Sequence, residues 1–141
     1  MKNPSLATRA RIVSSTKTSR LKRRSFRKLR AAADASHHYN VYVVLLDPAV
    51  RKSRKVRLSN PGADPKKLCL YVGMTGLEPD QRFANHKAGI KSAGVVQRFG
   101  TRLLPEYYAH LNPMPFAAAA QMEIDLAEDF RRAGYTVTGG H

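Results

Sequence analysis

Residues 39–46 read Tyr-Asn-Val-Tyr-Val-Val-Leu-Leu, and residues 68–73 read Leu-Cys-Leu-Tyr-Val-Gly. Both runs are short and rich in β-branched, aliphatic and aromatic side chains, which predicts two buried β-strands. Asp47 and Pro48 end the first run, and Asn60-Pro61-Gly62 is a turn signal ahead of the second. Between them lies a basic stretch carrying Arg51, Lys52, Arg54, Lys55 and Arg57. The reading is an antiparallel hairpin whose loop is a basic insertion at about 48–67. On such a hairpin Tyr42 and Tyr71 can approach one another across the ladder.

Downstream, Pro79 suits the first turn of a helix running towards Lys87. A loose basic connection with two glycines follows, from Lys87 to Gly94. Val95 to Phe99 fits a helix or a strand, and Thr101 to Leu104 fits a third strand. Asn112-Pro113-Met114-Pro115 is punctuation before a helix from Phe116 to Arg132, which Gly134 would end. The tail from Tyr135 could add a short strand. The fold class is α+β: a small three-stranded, largely antiparallel sheet flanked by helices, in a domain over 39–141.

Net charge is the strongest compositional feature. The chain has 141 residues, 25 Lys and Arg against 10 Asp and Glu, and a net charge of +15. Such a surface attracts polyanions, nucleic acid first and an anionic membrane surface second. Residues 1–34 hold eleven of the bases and a single acid, Asp34, with few large apolar residues. Residues 1–38 are therefore expected to form a disordered or partly helical arm. The arm suits a nucleic-acid-binding tail, a solvated tail or a mitochondrial transit segment, which is Arg- and Ser-rich and acid-poor. The single Cys69 excludes an intramolecular disulfide and a cysteine-based zinc site. It fits a reducing compartment, cytoplasmic or, in a bacterium, nucleoid-associated. No apolar run is long enough for a membrane span.

Three further residues complete a candidate site. Arg82 and His86 are four apart, on one face of the helix after the second strand, where they could hold a phosphate; on residue type alone a solvated helix face is the commoner outcome. Phe83 and Ile90 are the core candidates there. In the helix 116–132, Met122, Leu126 and Phe130 mark a buried stripe that Glu123 borders, while Asp125, Glu128 and Asp129 read as solvated acids. A carboxylate at a core edge could hold a hard cation such as Mg²⁺ or Mn²⁺.

Taken in order, these residues resemble the GIY-YIG nuclease superfamily over about 100 residues. Asn40-Val41-Tyr42 resembles the first signature tripeptide and Tyr71-Val72-Gly73 the second. Arg82, His86 and Glu123 match the helical arginine, the His or Tyr one turn later, and the metal-binding glutamate. Asn40 stands where glycine is usual, the inter-strand segment is long, and the asparagine often found after the last helix is missing. The resemblance implies a metal-dependent endonuclease acting on nucleic acid, DNA ahead of RNA, with one Mg²⁺ or Mn²⁺ on Glu123. It implies Arg82 on the phosphate and Tyr42 as the base, ahead of His86, with Tyr71 positioning water. Arg51, Lys52, Arg54, Lys55, Arg57, Lys87 and Lys91 are the expected phosphate contacts, and a protein partner could supply specificity. A non-catalytic DNA- or RNA-binding protein on the same fold is the alternative.

Overall fold

The strand β1, Asn40–Leu46, is buried along nearly its whole length because six of its seven side chains are apolar or aromatic. It pairs antiparallel with β2, Cys69–Thr75, in a register that sets Tyr42 opposite Gly73 and Val44 opposite Tyr71. The two tyrosines are therefore diagonal neighbours on one face, two pairs apart along the ladder. These elements belong to a computed structural model that describes residues 37–140. The expected arm at 1–38 lies almost entirely outside the described residues.

The sheet has four strands, not the three expected, and it is mixed. β3, Gly100–Leu103, adds antiparallel to β1, and β4, Thr136–Gly139, adds parallel to β2, giving the order β3-β1-β2-β4. The tail forms a strand because Gly134, at φ +95°, turns the chain back after the last helix and β-branched Thr136, Val137 and Thr138 follow. Its direction was illegible in four residues, since parallel pairing depends on the crossover that delivers the strand.

Among the described residues four α-helices flank the sheet: α1, Arg54–Ser59; α2, Pro79–Ala88; α3, Gly94–Phe99; and α4, Phe116–Arg132. The ambiguous segment 95–99 is thus helical. The basic insertion is ordered. Asp47 accepts the Ala49 N–H to start a 3₁₀ turn, Pro48–Lys52, and Ser53 then caps α1 by accepting the Val56 N–H. Val50 and Val56 anchor this insertion in the core.

Side-chain amides finish the sheet's open edges. Asn60 donates to the carbonyls of Val56 and Val137 and accepts the Val137 N–H, all at 2.9 Å. Asn112 accepts the Val41 N–H at 2.9 Å and donates to its carbonyl at 2.7 Å. Each amide satisfies peptide groups where no further strand lies.

On α4 the expected stripe of Met122, Leu126 and Phe130 is buried. Asp125 and Asp129 depart from expectation, because both are buried rather than solvated; Gln121 donates to Asp125 at 3.1 Å, and Arg132 lies 3.5 Å from Asp129. Among the described residues no helix is long and apolar enough to cross a membrane.

Candidate active site

Tyr42 sits at the centre, with only 1% of its surface exposed. Its ring lies directly over Gly73, where a Cβ would fall 2.6 Å from the Tyr42 hydroxyl and 2.9 Å from a Tyr71 ring carbon. Glycine in the second tripeptide is thus what allows two aromatic rings to share this patch of sheet. The Tyr42 and Tyr71 ring centroids are 6.1 Å apart.

His86 closes over them from α2. This helix begins at Pro79 and stops at left-handed Gly89, which returns the chain so that Ala93 faces the imidazole. The Ala93 N–H donates to His86 Nδ1 at 3.0 Å. The proton of the neutral ring is therefore on Nε2, which donates to the Tyr42 hydroxyl at 2.8 Å. His86 is fully buried rather than on a solvated face, while Ile90, expected in the core, is 54% exposed. Burial first, and the Arg82 charge second, pull the His86 pKa down to about 4. The ring is neutral at physiological pH.

Arg82, one turn earlier, donates to the carbonyl of Lys91 at 2.9 Å and that of Ile90 at 3.5 Å. These bonds fix the guanidinium against a loop in which Lys91 itself has φ +46°. Arg82 acts electrostatically on Tyr42, Tyr71 and His86 together. Burial drives the Tyr42 pKa well above the usual tyrosine range, and Tyr71 beside it adds to the rise, while Arg82 opposes it. Tyr71 is raised too, by burial first, whereas its hydrogen bond with Tyr42 lowers it. Unlike Tyr42, Tyr71 is partly exposed and opens onto a groove.

Glu123, on α4, is buried, and its charge reaches Tyr71, whose ionisation it opposes. Among the described residues no group of three or more His, Cys, Asp or Glu gathers as a metal cage. One carboxylate is the wrong donor set for zinc or calcium. It suits Mg²⁺, or Mn²⁺ in its place, which keeps much of its water and is often held by one or two carboxylates.

The expected phosphate contacts divide. Arg51 donates to the Lys67 carbonyl and, at 3.4 Å, to Thr136; Arg57 donates to the carbonyls of Arg51 and Lys52. Lys87 donates to Gln97 and Gly100 carbonyls at 2.9 Å each, closing the end of α3. These three tie the fold together. Lys52, Arg54, Lys55 and Lys91 are exposed. Sequence reasoning missed Arg98 and Arg131, which line the groove with Lys52 and Lys55. Only a settled helix over 94–99 would have shown where Arg98 points.

The positions at which the sequence differs from the pattern it resembles have local explanations. Asn40 is buried and donates to the Leu77 carbonyl at 2.9 Å and that of His38 at 3.3 Å, holding the turn after β2. Where an asparagine is often found, Gly139 and Gly140 run at φ +78°, and Cβ atoms there would meet the Val72 carbonyl at 2.2 Å and Ala127 Cβ at 2.3 Å. Close backbone approach occupies that place. No protein-family model, curated protein or solved structure matches this chain, and the site is read on its own geometry.

Proposed function

We propose that this chain is a metal-dependent endonuclease that hydrolyses phosphodiester bonds in nucleic acid, DNA ahead of RNA. The observation that carries the reading is the directed hydrogen-bond chain Ala93 N–H to His86, His86 Nε2–H to Tyr42. Binding alone requires no such buried relay. It leaves the Tyr42 proton to donate towards Tyr71, its hydrogen-bond neighbour at the groove.

Hydrolysis needs a water deprotonated as it attacks phosphorus, charge stabilised on the phosphate, and the P–O bond to the leaving oxygen broken. The hydroxyl that can meet this water is Tyr71's, because Tyr42 is enclosed. Tyr71 first gives up its proton to solvent, and the Tyr42 hydroxyl, polarised by neutral His86, donates to the resulting phenolate, which takes the proton of the water as the water oxygen attacks phosphorus. This order differs from the one that the family resemblance implies, where Tyr42 is the base. His86 is not a proton acceptor here, since both of its ring nitrogens are engaged. Arg82, fixed by the loop carbonyls, presents positive charge to the non-bridging oxygens. A Mg²⁺ or Mn²⁺ ion on Glu123 would supply Lewis-acid stabilisation of the phosphate and the leaving oxygen.

The alternative, a non-catalytic nucleic-acid-binding protein, draws on the raised pKa of both tyrosines, which leaves little phenolate near neutral pH. The two readings part on a cleavage assay with Mg²⁺. Tyr71→Phe should lose on the order of a hundredfold or more in rate, and His86→Gln, which keeps a donor for Tyr42, should lose about tenfold. A Tyr71→Phe protein that cuts like the parent contradicts this assignment, and a parent that binds without cutting supports the alternative.

A further inference from the structure

A groove of about 960 Å³ runs between the inserted segment and α3, with Tyr71 on its wall. Lys52 and Lys55 stand on one side and Arg98 on the other, with Arg131 beside β4; no acidic side chain of the described residues lines it. Between the cations the surface is apolar, supplied by Val56, Val95 and Phe99 among others. Arg98 lies over the Phe99 ring at 5.1 Å, so a planar cation and an aromatic face occur together. A cleft of this volume is at the upper end of those that enclose small molecules. Its volume is on the scale of a few nucleotides of one strand. Alternation of cations with apolar and aromatic surface is the pattern by which proteins hold unpaired strands, phosphates on the charges and bases on the flat faces.

We infer that this groove binds a single strand of polynucleotide and delivers it to Tyr71. The inserted segment is then the substrate wall, and the preferred substrate has an unpaired stretch at the cut. The delivery step rests on the nuclease reading, while strand binding does not.

The test uses the full chain with Glu123→Gln in EDTA, so that nothing is cut, and fluorescence anisotropy of labelled dT, rU and hairpin-duplex probes. Neutralising the three exposed cations together, Lys52→Gln, Lys55→Gln and Arg98→Gln, should weaken single-strand binding at least tenfold. It should also shrink the slope of log K against log salt by about two, from roughly 0.7 per phosphate contact on single strands. Duplex binding should change less than twofold. The dT and rU probes tell DNA from RNA. Photo-crosslinking of a 5-iodouracil strand to the unmutated groove should tag Phe99 or Tyr71, and this readout stands even if the triple variant misfolds. Equal losses on duplex and single strand, unchanged binding, or crosslinks only elsewhere would overturn the inference. If the strand binds here and the parent never cuts it, the groove stands and the nuclease reading falls. If cutting continues with the triple variant at the parental rate, the groove falls and the nuclease reading stands.

Discussion

His86 is the residue whose surroundings do most to define the site. Its position one turn after Arg82 was legible from spacing, while Tyr42, Tyr71 and Glu123 were named beside it only through the resemblance. Its burial was not legible, because that depends on Ala93 returning seven residues later to occupy Nδ1. The depressed pKa has a consequence for stability. The fold favours neutral His86, so the unfolded chain takes up the proton first. This contribution is intact above the unfolded value of 6.5 and is lost as pH falls towards about 4. The difference amounts to roughly 3 kcal/mol. Urea denaturation should show the parent losing about 2 kcal/mol more than His86→Gln between pH 7 and pH 4.5, the remainder appearing only below the folded value. Equal losses in the two proteins would mean the imidazole is not held neutral.

At the scale of elements, the apolar runs and the long helix were readable because burial imposes strong periodicity. The direction of β4 and the closure of the strand edges were not, since four tail residues carry no direction and two asparagines look like ordinary turn residues. Asn60 now has a definite task, closing the outer edge of β4 through two hydrogen bonds to Val137 and tying it to α1 through a third, to the Val56 carbonyl. Asn60→Ala should cost about 2–3 kcal/mol, because it leaves buried peptide groups unpaired; a melt within a few tenths of a kcal/mol of the parent would contradict this. The β1–β2 pair makes a second demand. Gly73→Ala forces a methyl into the Tyr42 ring and should destabilise by about 1–3 kcal/mol. It should also cost more activity than stability, since the ring it displaces carries the relay. Full cleavage by a folded Gly73→Ala protein would show that the close approach is not needed.

For the whole molecule, composition pointed towards a polyanionic partner, and the described domain places Lys52, Lys55 and Arg98 along one groove beside Tyr71. Charge counting could not separate such cations from those spent inside. Arg51, Arg57 and Lys87 look identical in sequence to Lys52 and Lys55, yet their donors are engaged by backbone carbonyls. The central claim, a phosphodiesterase whose single metal-holding side chain is Glu123, is most directly tested by strand breakage on adding Mg²⁺. A mixed-sequence oligonucleotide with an unpaired stretch is incubated with the purified full chain, with and without the metal, beside Glu123→Gln. Mg²⁺-dependent cleavage by the parent, inhibited by EDTA, is expected, with a loss of at least about a hundredfold in the folded variant. Cleavage by Glu123→Gln at the parental rate would contradict it.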